Sequence, residues 1–106
     1  MVKFLIKGSY APEGVKGLLK VGGTNRKKAV EKMINDLGGK MEAFYYAFGD
    51  TDAYVIGELP DAATVTAVGL TINSTGVVSI TTTILTTPEE VDKATKISVG
   101  YRTPGS

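Results

Sequence analysis

The chain has 106 residues, a formal net charge of +1, and neither cysteine nor histidine. A chain of this length forms one domain, and we expect a single domain over residues 1–106. Without cysteine and histidine, the chain by itself offers no disulfide, thiol nucleophile, histidine-held haem, structural zinc site or serine–histidine relay.

The first 40 residues predict one strand and two helices. Val2–Tyr10 alternates apolar and polar side chains, which predicts a strand. Pro12 fits the first position of a short helix that ends at the glycine pair 22–23. Thr24 is expected to N-cap a second helix that ends at the glycine pair 38–39. Apolar residues recur at helical spacing in this second helix at Val30, Met33, Ile34 and Leu37.

Residues 40–48 and 53–59 predict a β-hairpin, because both stretches alternate with the period of a strand. Glycine and aspartate in residues 49–52 favour a tight turn between the strands. Strict alternation puts one set of first-strand side chains on one face, namely Lys40, Glu42, Phe44, Tyr46 and Phe48. The opposite face then carries Met41, Ala43, Tyr45 and Ala47.

Residues 61–74 give conflicting signals. Their many β-branched side chains favour a strand, whereas Asp61 is a good N-cap and the apolar residues keep helical spacing. A helix is predicted, because the chain must cross over the sheet before the next strand, Val77–Thr86. Thr87 and Glu90 form a capping box around Pro88, which predicts a short helix. Residues 97–106 are expected to be an irregular tail.

The resulting order, βαββαβ, predicts an α+β, ferredoxin-like fold with a four-stranded antiparallel sheet and helices on one face. The second face should then be unusually apolar, with Leu5, Phe44, Tyr46, Phe48, Tyr54, Ile56 and Leu85 interspersed with Lys3, Lys7, Glu42 and Glu58. An exposed patch of this kind marks an interaction site. We therefore expect a homodimer, or a higher homo-oligomer, with paired sheets that enclose a pocket.

Several stretches resemble the GYD domain family. They are the turn Gly49, Asp50, Thr51 and Asp52 with the strand that follows it up to Pro60 and Asp61, and the segments YAPEGVKGL (10–18), LGGK (37–40) and LTTPEEV (85–91). One residue departs from the family motif, since Thr51 stands where the motif has tyrosine. The resemblance implies a fold similar to the dimeric α/β-barrel proteins and implies no catalytic residue.

Glu42 and Glu58 are candidate site residues, because neighbouring strands bring them near one another, with Lys3 or Lys7 close by. A carboxyl group among aromatic rings can shuttle protons. The alternative is an ordinary cross-strand or intersubunit ion pair. Asp50 and Asp52 are spaced like cation ligands, but too few oxygen ligands lie nearby, so a turn is favoured and no metal is predicted.

The glycine-rich stretch 22–26 leads into a basic helix and can be interpreted as a phosphate-binding loop. Its spacing does not match a P-loop, so a flexible connection is favoured. Residues 1–40 carry nine basic and three acidic side chains, against three and eight in residues 41–106. In one domain the two halves interleave, and no nucleic-acid partner is predicted.

The sequence thus favours a small-molecule binding protein with no cofactor. A cytoplasmic location and no membrane partner are expected, because no apolar run approaches the ~20 residues of a membrane span and no signal-peptide pattern follows Met1. A first alternative is a cofactor-free isomerase or lyase that uses Glu42, Glu58, Lys7 or Tyr46 for proton transfer. A second alternative is a structural or regulatory subunit.

Overall fold

The computed structural model describes residues 1–106, with four strands and four helices. The strands are β1 (Val2–Tyr10), β2 (Lys40–Tyr46), β3 (Ala53–Leu59) and β4 (Val78–Leu85). The helices are α1 (Pro12–Val21), α2 (Gly23–Asp36), α3 (Ala62–Ser74) and α4 (Pro88–Ala94). No helix has the length and apolar character that crossing a membrane requires.

The four strands form one antiparallel sheet in the order β2-β3-β1-β4. Helices α2 and α3 cover one face of it, here called the inner face, and the opposite face is here called the open face. This arrangement is the predicted ferredoxin-like α+β fold. Most of the core lies between the inner face and these two helices, where the most deeply buried large side chains are Phe4, Ile34 and Leu59.

The conflict over residues 61–74 is resolved in favour of the helix, as predicted. The Asp61 carboxylate accepts a hydrogen bond from the Thr64 backbone N–H at 2.8 Å and so caps α3. Val65 and Val68 are buried on the side of α3 that faces the sheet. Burial of this apolar stripe outweighs the strand propensity of the β-branched residues.

The predicted N-cap of α2 is wrong. The helix begins at Gly23, one residue before Thr24, and its N-cap Gly22 has φ of 84° and offers no side-chain hydrogen bond. The predicted end is confirmed, since Gly38 also has φ of 84°, a conformation that glycine adopts without strain.

A β-bulge in β2 overturns the predicted faces of this strand. Met41 pairs with Gly57 and Ala43 pairs with Ile56, so Glu42 is an extra residue without a partner on β3. The extra residue reverses the alternation. Phe44 and Tyr46 therefore lie on the inner face, and not on the second face as predicted.

The connection between β2 and β3 is a six-residue loop rather than a tight turn, because β2 ends at Tyr46 and β3 begins at Ala53. Phe48 lies in this loop with φ of 54°, the left-handed region that few non-glycine residues adopt. Its ring stacks on Tyr46 at 5.6 Å, so Phe48 is also displaced from the predicted open face.

Residues 86–106, here called the C-terminal arm, extend away from the rest of the molecule. The predicted capping box is present, since Thr87 and Glu90 exchange hydrogen bonds at the start of α4. No residue of α4 is buried, and no helix or strand follows it. Residues 97–106 thus contain no helix or strand.

Candidate functional site

A cleft of about 490 Å³ lies between α1, the start of α2 and the end of α3. Its walls are largely apolar, and its polar side chains are few. The lining residues are Tyr10, Glu13, Gly14, Gly17, Leu18, Val21, Arg26, Ile72, Thr75, Val77 and Val78. Gly14 permits α1 to approach the sheet, because a Cβ there would lie 2.6 Å from the Val77 carbonyl oxygen.

A smaller cavity of about 40 Å³ adjoins this cleft between the inner face and α2. The two share four lining residues, Tyr10, Arg26, Ile72 and Val78. The smaller cavity is lined mainly by core side chains such as Ile34, Phe44 and Val55. A ligand in the cleft can thus extend an apolar group toward the core, which is the usual design of a small-molecule site.

Arg26 lies at the boundary of the two cavities. Its side chain is half-buried, and its guanidinium forms neither an ion pair nor a hydrogen bond with any other residue. Glu13 also lines the cleft, but it is exposed in the first turn of α1 and forms no ion pair with Arg26. The cleft therefore carries an arginine without an ion-pair partner, which can bind an anionic group on a bound molecule.

Tyr46 supports this end of the cleft. Its hydroxyl donates a hydrogen bond to the Gly23 carbonyl at 3.0 Å, and this bond ties β2 to the start of α2. Burial raises the pKa of the Tyr46 phenol, the neighbouring Tyr10 phenol raises it further, and the Arg26 charge partly opposes both effects. Tyr46 therefore stays protonated at neutral pH and acts as a hydrogen-bond donor.

The glycine-rich stretch 22–26 has a packing explanation. A Cβ at position 23 would lie 3.2 Å from the ring of Tyr46, so glycine lets the ring approach the helix. The stretch contributes the Arg26 side chain to the cleft. This role differs from that of a phosphate-binding loop, in which backbone amides would hold the anion.

On the open face, the structure brings Glu42 and Glu58 to the same lysine. Lys3 donates a hydrogen bond to Glu42, and its Nζ lies 3.9 Å from a Glu58 carboxylate oxygen. The hydrogen bond to Glu42 raises the pKa of Lys3, which keeps the ammonium charged. This geometry is the ion-pair alternative that the sequence left open.

The other predicted site residues divide between the two faces. Lys7, Leu5, Tyr54 and Ile56 share the open face with Lys3, because directly paired residues of neighbouring strands point the same way. Lys7 lies four residues from Lys3 along β1, which is about 13 Å. The four catalytic candidates Glu42, Glu58, Lys7 and Tyr46 therefore do not meet in one place, and their catalytic role stays a prediction.

Asp52, one of the two motif residues, anchors the β2–β3 loop to the end of β1. Its carboxylate accepts a hydrogen bond from the Tyr10 backbone N–H at 2.8 Å, and its own N–H donates to the Gly8 carbonyl at 2.8 Å. Gly49 lies in the same loop, where its N–H donates to the Thr51 carbonyl. The motif thus fixes the loop beside Tyr10, a residue that lines the cleft.

We expect Asp52→Ala to lower the free energy of unfolding by about 1–3 kcal/mol, because the partly buried Tyr10 N–H loses its acceptor. Asp50 is the matched control, since it is exposed in the same loop and forms no hydrogen bond, and Asp50→Ala should change stability by less than about 0.5 kcal/mol. Urea unfolding followed by circular dichroism measures both. Equal effects of the two substitutions would contradict the anchoring role.

Tyr10 and Glu13 are cleft residues that sequence reasoning did not identify, and it named Arg26 only as part of the glycine-rich stretch 22–26. The available signal was a single arginine beside the apolar positions of an otherwise lysine-rich helix. Arginine is preferred over lysine where a planar, bidentate contact to an anion is needed. The signal is weak, because the cleft is formed by segments distant in sequence.

The sheet order, the helices on one face and the cleft between helices and sheet define an α+β protein of the ferredoxin-like type with a ligand-sized cavity. The chain belongs to the GYD domain family, since the GYD domain model matches residues 4–95. This confirms the resemblance found in the sequence. Comparison with curated proteins and with solved structures found no match.

Proposed function

We propose that this protein is a homodimeric small-molecule binding protein, and that its ligand is an apolar molecule with one anionic group. The cleft between α1, α2 and α3 holds the ligand, and the open faces of two copies pair. The unpaired, half-buried Arg26 at the inner end of an apolar cleft is the observation that carries the assignment of ligand class.

The physical argument is one of charge compensation. Arginine in an apolar wall loses hydration, and an isolated charge in such a place is unfavourable unless an opposite charge pairs with it. No acidic side chain of the chain lies within ion-pair distance of Arg26. A carboxylate or similar group on a ligand would supply the missing partner, while its apolar body would fill the cleft.

The location differs from the pocket between paired sheets that the sequence suggests. The cleft that contains Arg26 is lined by residues of the helices, the inner face and the α3–β4 connection. Two of the aromatic residues assigned to the paired-sheet pocket, Phe44 and Tyr46, lie on the inner face as well. These observations favour the helix side of the sheet as the ligand site and leave the open face for dimerisation.

The open face supports the dimer through its mixed character. Leu5, Ala43 and Ile56 form its apolar centre, and Tyr45 is 71% exposed beside them. The Lys3, Glu42 and Glu58 cluster lies at one end of this face. An apolar centre with charged groups at its rim is the usual composition of an interface between protein copies.

The proposal is tested with decanoate as the probe and decanol as its uncharged counterpart. Binding of each probe is measured directly by isothermal titration calorimetry. We expect decanoate to bind and Arg26→Gln to weaken decanoate binding about 10- to 100-fold, since a charge-assisted hydrogen bond contributes about 1.5–3 kcal/mol. Decanol binding should change little.

Lys27→Gln is the matched control, because Lys27 is an exposed neighbour on α2 and its loss removes the same charge. This variant should bind decanoate like the wild type. Equal losses in the two variants would mean that net charge alone attracts the ligand. Failure of the wild type to bind either probe would overturn the proposed site.

A further inference from the structure

The C-terminal arm makes almost no contact with the domain that carries it. Every residue from Pro88 to Ser106 is exposed, and the hydrogen bonds of the arm stay within residues 86–106. The molecule measures 57 Å along its longest axis, and its radius of gyration is 16.9 Å. A compact domain of this length has a radius of gyration of about 13 Å.

The arm nevertheless exposes several large apolar side chains. Their exposed fractions are 49% for Val91, 67% for Ile97, 76% for Val99 and 72% for Tyr101. These four side chains lie within 11 residues, and charged residues such as Lys93 and Lys96 lie between them. A segment of this composition buries its apolar side chains when a surface is available.

Helix α4 also needs a packing partner to persist. It has seven residues, and isolated helices shorter than about 12–15 residues are marginal in water. The capping box stabilises the first turn but buries nothing. A single copy of the chain buries no residue of α4, so contacts with a partner would add to the stability of this helix.

The size of the open face gives an independent reason for a partner. Four strands of about eight residues span roughly 19 Å by 27 Å, so the face covers about 500 Å² in plan. A stable interface buries about 800 Å² on each partner. The exposed apolar segment of the arm adds to the area that two copies can bury.

The position of the arm makes it continuous with the open face. Leu85, the last residue of β4, pairs with Lys3 and shares its face, and Leu85 is half-buried. The arm begins at the next residue, so it leaves the sheet at the open-face end that also holds Glu42 and Glu58. A second copy seated on the open face would lie beside it.

We propose that the C-terminal arm of each copy packs on a second copy of the chain, so that Val91, Ile97, Val99 and Tyr101 are buried in the dimer. This inference rests on the proposed pairing of open faces and extends it. The arm is then an intersubunit clamp rather than a mobile tail.

The absence of native cysteine permits a direct test by spin labelling. One copy, at natural isotope abundance, carries Val99→Cys with a nitroxide attached. It is mixed with an isotopically labelled copy of the wild-type chain. We expect backbone amide signals of the wild-type copy to lose at least half of their intensity near the docked arm. Arg102→Cys provides a second labelling position, in case a nitroxide at position 99 displaces the arm.

Glu31→Cys is the control position, since it is exposed on α2 on the other side of the sheet, and its nitroxide should leave the partner signals unchanged. Light scattering of the same samples reports the mass. A dimer without intermolecular broadening from either arm position would overturn the arm contact while the proposed pairing stands. A monomeric wild type would overturn both.

Discussion

Ile56→Asp is expected to convert the proposed dimer into a folded monomer. Ile56 lies on β3, which has a neighbouring strand on each side. It pairs with Leu5 of β1 and Ala43 of β2, and it therefore lies at the centre of the open face. Pairing of the faces would bury two copies of this side chain, and each contributes about 1.5–3 kcal/mol to the free energy of dimerisation. Loss of both contributions should raise the dissociation constant of the dimer more than about 100-fold. A dilution series followed by light scattering measures the change.

Folding of the monomer should survive this substitution, because Ile56 points away from the core formed by the inner face. Ala63→Asp is the matched control, since it adds the same charge at an exposed position of α3 on the other side of the sheet. It should leave the dimer intact. A wild-type protein that is monomeric at micromolar concentration, or an Ile56→Asp variant that remains dimeric, would contradict the proposed interface.

Tyr46 is not a suitable position for this experiment, although strict alternation in β2 suggests it. Its hydroxyl bonds to the Gly23 carbonyl, and its ring contacts Phe44 at 5.0 Å between ring centroids. A charge at this position would weaken the contact between β2 and α2. Loss of mass could then not be separated from loss of fold.

Gly39→Ala is expected to lower the free energy of unfolding by more than about 3 kcal/mol. Gly39 lies between α2 and β2, where its N–H donates to the Ile34 carbonyl at 2.9 Å. A Cβ at this position would lie 2.2 Å from the Glu58 carbonyl oxygen and 2.7 Å from a methyl carbon of Leu59. Backbone and core side chain would both have to move, and Leu59 is fully buried.

Gly17→Ala provides the contrast, because Gly17 lies in the interior of α1 and a Cβ there meets no atom within 4 Å. Alanine in the interior of a helix is more favourable than glycine by about 0.5–1 kcal/mol, so this variant should be more stable than the wild type. Urea unfolding of both variants measures the difference. A mild effect of Gly39→Ala would mean that β2 and β3 are less closely packed at this point than the structure shows.

The sequence was sufficient for elements whose signals are local. The capping box of Thr87 and Glu90 located the start of α4, and alternation located β1 to the residue. Asp61, together with the need for a crossover from β3 to β4, which run in the same direction, identified α3 against its own propensity. The order of these elements then left the ferredoxin-like sheet as the simplest arrangement.

The faces of β2 were decided only by tertiary structure. This strand has apolar or aromatic side chains on both faces, so alternation cannot tell which set is buried. The bulge at Glu42 is a feature of the pairing between β2 and β3, so the alternation of β2 alone does not reveal it. One extra residue moved Phe44 and Tyr46 to the inner face.

The candidate ligand site was likewise set by tertiary contacts. Tyr10, Arg26 and Ile72 come from three elements far apart in the chain, and no local pattern links them. What the sequence by itself determined are the elements, their order and the family. Only folding decided which side chains meet, because a cleft and a charge without a partner are properties of segments brought together in space.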